Sequence, residues 1–129
     1  MEMIFDFTSL EAFLNGDPDG LVIEQLLSSG SMFYTYDMIL SDLYAERSHK
    51  VGSAAANQEI EYLRSLFVIW TYPAFDAETI EIQQIYGLPY TAAVCVAISK
   101  QLVCPVITAS HYSFDSIVEN EVCGILFTR

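Results

Sequence analysis

Met3-Ile4-Phe5-Asp6-Phe7-Thr8-Ser9-Leu10 decides how the rest of the chain reads. Three apolar residues stop at an aspartate. Thr8-Ser9 then offers an N-cap to Leu10-Glu11-Ala12-Phe13-Leu14, with Gly16 as the stop. A short apolar strand, a polar turn and a helix make one unit, and the unit recurs downstream. Pro18 is placed to start a second helix carrying Leu21, Val22, Ile23, Leu26 and Leu27 and ending near Gly30. Met32 to Thr35 reads as a strand, followed by a helix from about Asp37 to Lys50 on Ile39, Leu40 and Leu43. A helix over Ala54 to Leu66 then leads to a strand at Phe67 to Trp70. From Asp76 the spacing of Ile80, Ile82 and Ile85 predicts a helix closed by Gly87-Leu88-Pro89. Tyr90 to Leu102 is an almost wholly apolar helix, which must be buried on most sides. Pro105 to Thr108 reads as an inner strand, Ser113 to Val118 as a helical turn and Val122 to Phe127 as a last strand. Short buried strands alternating with helices predict a three-layer α/β/α fold, one domain over residues 1–129, with a central and mainly parallel sheet.

Composition bounds the function. The chain has 129 residues, 53% hydrophobic and 17% charged, enough apolar surface to build a core and too much for disorder. Five basic residues against 17 acidic ones leave a net charge of −12. That balance disfavours a broad grip on phosphate backbones, so RNA is an unfavoured partner, and it disfavours anionic membrane surfaces too. The stretch from Ala92 to Ile107 is interrupted by Lys100 and Pro105, short of the roughly 20 residues of a membrane span. No basic-then-apolar secretion signal opens the sequence. Cys95, Cys104 and Cys123 sit in apolar runs without CxxC spacing, which predicts reduced thiols and a cytoplasmic location.

In parallel sheets, ligands gather at the carboxyl ends of the strands, so the polar residues there come first. Asp6 ends the first strand, Ser110 follows the Pro105 to Thr108 strand, and Asp42 lies on the helix after the second strand. Four segments carry a further signal: Met3 to Leu10, Ile39-Leu40-Ser41-Asp42-Leu43, Tyr86-Gly87-Leu88-Pro89-Tyr90-Thr91-Ala92-Ala93 and Val106-Ile107-Thr108-Ala109-Ser110. In order and spacing they resemble the PIN domains, which include the ribonuclease toxins of bacterial toxin–antitoxin pairs. The resemblance covers nearly the whole chain. It implies metal-dependent phosphodiester hydrolysis, in which carboxylates hold Mg²⁺ or Mn²⁺ and orient an attacking water. Asp6 and Asp42 match two family acids. Thr91 stands where a third aspartate is expected and Ser110 where a fourth is. A hydroxyl is a neutral ligand, so the expectation is weak or absent metal binding, impaired nuclease activity and a binding or regulatory role.

Other readings stay open beside this one. Glu46, one helical turn after Asp42, or Asp115, beyond Ser110, could replace the missing acids and leave an active Mg²⁺- or Mn²⁺-dependent endoribonuclease. Alternatively Asp6 caps a helix, Asp42 and Glu46 form a solvated face, and Thr8, Thr91, Thr108 and Ser110 are caps and turn residues of an unrelated α/β domain. His49 and His111 have no metal-ligand spacing, and no glycine-rich phosphate loop is present. Phe33, Tyr34, Tyr36, Trp70, Tyr72 and Phe75 offer stacking platforms, core packing or a subunit interface. Arg47 and Lys50 form the one close basic pair, suited to a helix C-terminus, while Arg64, Lys100 and Arg129 are scattered. A homodimer and a protein partner such as an antitoxin are the expected assemblies.

Overall fold

The computed structural model describes residues 2–71 and 76–128, so Tyr72, Phe75 and Arg129 lie outside the described residues. The strands are β1 (Glu2–Phe5), β2 (Met32–Tyr36), β3 (Val68–Trp70), β4 (Val106–Thr108) and β5 (Ile125–Phe127). They form one sheet in the order β3-β2-β1-β4-β5, and every neighbouring pair is parallel. The seven helices among the described residues are α1 (Phe7–Asn15), α2 (Pro18–Leu27), α3 (Asp37–Val51), α4 (Ser53–Leu66), α5 (Asp76–Tyr86), α6 (Tyr90–Leu102) and α7 (His111–Glu119). The α/β reading therefore holds, and the sheet is wholly parallel.

From β1 the chain steps outward to β2 and β3, then crosses back over β2 and β1 to reach β4. Right-handed crossovers put α1 to α4 on one face of the sheet and α5 and α6 on the other. The packing of α1 against α2 and α3, of α3 against α4 and of α5 against α6 agrees. The direction of travel reverses at β1 and β4, and a crevice opens outside their carboxyl ends.

Sequence explains the layers. Helix α6 buries Ala92 through Ser99 without interruption, and it packs on β1, β2 and β4. Its Ala, Val and Cys side chains are small enough to bring the helix close to the sheet. Phe33, Tyr34 and Tyr36 are buried in the core, which removes them as stacking platforms or interface residues. Burying them costs nothing in unmet polarity at Tyr34, whose hydroxyl donates to Glu2 Oε1 at 3.1 Å.

Several boundaries move for local reasons. Helix α1 begins at Phe7 because Asp6 is its N-cap, where Thr8-Ser9 had been the expected cap. Helix α7 is a full helix from His111, capped by Ser110, which accepts from Ser113 N. The last strand is shorter than Val122 to Phe127, since the turn before it carries Glu121 in a left-handed backbone with φ 51°. Ile80 and Ile85 face outward on α5, and Ile82 and Thr79 fill its inner face.

Gly20 marks the tightest approach in the α1–α2 pair. A Cβ there would lie 2.9 Å from the Ala12 carbonyl oxygen and 3.1 Å from Phe13 Cα, both backbone atoms that cannot swing aside. Replacing Gly20 with Ala is expected to lower stability by roughly 1–3 kcal/mol, despite the better helix propensity of alanine. A urea unfolding midpoint equal to that of the unmodified chain would contradict this packing.

Candidate functional site

Asp6 sits where β1 becomes α1 with no loop between them. Its amide donates to the Ile107 carbonyl at 3.2 Å, as if β1 continued, and its own carbonyl accepts from Leu10 N at 3.3 Å, as if α1 had begun. The carboxylate is buried and faces three donors. Ser9 N donates to Oδ1 at 2.9 Å, Thr108 Oγ1 donates to Oδ2 at 2.6 Å, and Thr8 Oγ1 lies 3.0 Å from both oxygens. The threonines are positioned in turn, because Ala109 N donates to Thr8 Oγ1 and Ser110 N donates to Thr108 Oγ1, each at 3.0 Å. Burial pushes the Asp6 carboxyl above the usual carboxylate range, and the hydrogen bonds from Thr108, Ser9 and Thr8 oppose that rise.

Beside Asp6 opens a cavity of about 380 Å³. The start of α1 gives it Phe7 and Thr8, α3 gives Asp42 and Ala45, the start of α6 gives Thr91 and Ala92, and α7 gives Ser113 and Phe114. Four residues expected at a site from sequence, Asp6, Thr8, Asp42 and Thr91, thus converge on one crevice. Thr108 stands behind them as the buried partner of Asp6. A second depression, with Tyr36, Ser41 and Thr71 in its wall, shares Asp42. Hydroxyls outnumber charges across this end of the sheet.

The remaining expected residues face elsewhere. Ser110 caps α7, and Ser113, three residues on, takes the place in the cavity wall. Sequence reasoning passed over Ser113; the signal for it was the Ser110-x-x-Ser113 spacing, which turns the later hydroxyl inward once the earlier one caps. Asp115 is largely exposed and pairs with His111 at 3.9 Å, while the His111 ring stacks on Phe127 at 3.9 Å between centroids. Glu46 is turned toward Glu11 of α1 and toward Lys50, whose Nζ is 3.9 Å away.

That second cluster was not foreseen. Arg47 is buried and bidentate to Glu59 at 2.9 and 2.8 Å, and its guanidinium also donates to Asn15 Oδ1. It fastens α1, α3 and α4 together, a different task from complementing a helix terminus. Next to it, a hydrogen bond with Glu46, then burial and repulsion from Glu46, push the Glu11 carboxyl up to about 7, against the attraction of Lys50.

The donor set fits a divalent ion poorly. Both Asp6 oxygens are committed to protein donors, Asp42 supplies one further carboxylate, and the other polar lining is neutral hydroxyl. Among the described residues no group of three or more His, Cys, Asp or Glu side chains is placed to hold a metal ion. No described helix is long and apolar enough to cross a membrane.

No family model and no curated protein matches the sequence. Solved structures do match in fold. A chain in the crystal structure of VapBC2 from Rickettsia felis, bound to a DNA fragment from its promoter, superposes with a TM-score of 0.76 at 10% identity, over 98% of both chains. A toxin–antitoxin complex from Klebsiella pneumoniae gives 0.71 at 14% identity, again over 98% of both. VapBC-1 from nontypeable Haemophilus influenzae gives 0.71 at 12% identity, over 99% of this chain and 98% of that one. The chain has the PIN-type fold.

Two measurements test the site. Asp6→Asn keeps a cap and removes a buried charge, so stability at neutral pH should stay within about 1 kcal/mol or rise. Asp6→Ala strips the cap and strands the donors, with an expected loss of roughly 2–4 kcal/mol in urea unfolding. Equal effects of the two would refute the capping role. For Glu11, the folded chain holds its proton more tightly than the unfolded one, whose carboxyl has the ordinary value of 4.5. Its contribution to stability is therefore complete below that value and is lost as pH rises toward about 7. Glu11→Gln should flatten the decline of stability across that window and leave the chain more stable than the parent at pH about 8.

Proposed function

We propose that this chain is a PIN-type domain of the toxin–antitoxin kind whose nuclease centre is impaired and which acts by binding a protein partner. The observation that carries this reading is the Asp6 carboxylate, whose two oxygens are occupied by Ser9 N, Thr8 and Thr108. A hard cation needs free carboxylate lone pairs, and three donors already take most of those on Asp6 to hold β1, α1 and β4 together. Thr91 and Ser113 line the crevice with hydroxyls that neither attract an ion by charge nor act as strong bases. Mg²⁺ or Mn²⁺ is accordingly not needed for the proposed role.

Three solved structures of similar fold are of VapBC or a toxin–antitoxin complex, which supports an antitoxin-like partner for this chain. Its net charge of −12 favours a basic segment on that partner and disfavours RNA. The outward-facing apolar residues of one helix, Ile80 and Ile85 of α5, support a homodimer. Its proposed compartment is the cytoplasm, where unpaired thiols persist.

One observation favours the active alternative: Asp6 and Asp42 do face the same cavity. Titration with Mn²⁺ by calorimetry, with an RNA cleavage assay in the same buffer, separates the two. The expected result is no saturable heat at millimolar metal and no cleavage above an Asp6→Asn control. Saturable binding and cleavage, both abolished by that substitution, would establish the ribonuclease instead.

A further inference from the structure

At the opposite end of the sheet, where the chain turns into β4 and β5, lies another cavity of about 430 Å³. Its wall includes Ser99 and Lys100 of α6 and two cysteines, Cys104 and Cys123. The geometry brings these two side by side. Strands β4 and β5 run parallel with Val106 opposite Ile125, Ile107 opposite Leu126 and Thr108 opposite Phe127. The pairing extends one residue upstream, since Val106 N donates to the Gly124 carbonyl at 2.9 Å. A Cβ at Gly124 would stand 3.8 Å from Pro105 Cα and Cβ, so those two residues abut. The next residues back are Cys104 and Cys123, and both face the same cavity. Neighbouring strands lie about 4.8 Å apart, inside the roughly 4.4–6.8 Å Cα separation that a disulfide spans.

The turns that deliver the two cysteines are unusual as well. Val103, with φ 53°, and Glu121, with φ 51°, are the non-glycine residues in left-handed backbone among the described residues. One directly precedes Cys104 and the other lies two residues before Cys123. A β-branched side chain in that conformation is strained, and Val103 is 90% exposed, so no burial of its own offsets the strain.

We propose that Cys104 and Cys123 are a dithiol pair that closes to a reversible intrachain disulfide when the protein meets a peroxide. The proposal is independent of whether the crevice cleaves RNA. Cys123 is the attacking group because it is half-buried, while Cys104 is only 6% exposed and Cys95 is fully enclosed. Burial raises all three thiols; at Cys123 alone a hydrogen bond with Ser99 and the charge of Lys100 pull the other way, whereas Cys104 is pushed up to about 11. The Cys123 thiolate attacks one oxygen of hydrogen peroxide, forming a sulfenic acid and releasing hydroxide. The Cys104 sulfur then displaces the sulfenic oxygen, which leaves as water after taking up the Cys104 proton, and the S–S bond forms. Two thiols lose two electrons, and one peroxide becomes two waters.

The test treats the reduced chain with stoichiometric hydrogen peroxide, labels remaining thiols with N-ethylmaleimide in denaturant, and reads intact mass and peptide maps. The expected product keeps one label, at Cys95, has lost two hydrogens, and yields a Cys104–Cys123 cross-linked peptide; dithiothreitol restores three labels. The oxidised form should melt several degrees higher, on the order of 5 °C, because the bond closes a loop in the unfolded chain. Cys95→Ser should behave as the parent does. Cys104→Ser should stop at a Cys123 sulfenic acid trapped by dimedone, and dimedone competition in the unmodified chain reads the same intermediate if that variant does not fold. Three labels after peroxide, a bond to Cys95 or between chains, or a Cys123 sulfinic acid without cross-link would each overturn the proposal.

Discussion

A carboxylate taken out of water is costly unless donors replace the water it loses, and Asp6 is buried at the point where three elements meet. Its replacements come from α1 through Ser9 N and Thr8 and from β4 through Thr108, 102 residues away. The amide of Asp6 belongs to the sheet and its carbonyl to the helix. Removing the charge alone would leave these connections nearly intact, whereas removing the acceptor would leave donors buried without partners. The crevice therefore exists because Asp6 is held, and the bonds that hold it leave the carboxylate little capacity for anything else.

The helical layers rest on two different kinds of contact. On one face α6 covers the sheet centre with small apolar side chains and needs no polar fastening. On the other, α1, α3 and α4 are joined by a buried guanidinium satisfied by Glu59 and Asn15. A buried ion of this kind adds less stability than an apolar replacement of equal volume and fixes the relative placement of three helices. Placement matters here because α1 and α3 both contribute to the wall of the crevice, Thr8 from one and Asp42 from the other.

The period and order of apolar residues exposed the alternation of strands and helices, since the inner strands β1, β2 and β4 are short, largely buried and each followed by a helix. The convergence of Asp6, Thr8, Asp42 and Thr91 was legible through the resemblance of four segments to PIN domains, because equivalent positions in one topology reach the same crevice. Less visible were features set by neighbours distant in sequence. Whether Glu46 would face the crevice or Glu11 depends on how α3 is rotated against α1, and Arg47 fixes that rotation by reaching Glu59 on α4. Asp6 displaced Thr8 and Ser9 as the cap because its side chain accepts from Ser9 N while Thr8 is drawn toward Thr108. The burial of Phe33, Tyr34 and Tyr36 follows from β2 lying inside the sheet, a fact of strand order that composition does not carry.

The sheet is bounded by β3 and β5, each only three residues long. An edge strand exposes unpaired amides and carbonyls that invite a foreign strand to add on, and the hazard grows with the length of flat edge available. Three residues offer too few such groups for a stable register with another chain, and the net charge of −12 repels copies that approach without orientation. The borders of this sheet are thus poor templates for the sheet-to-sheet polymerisation that longer ones would permit.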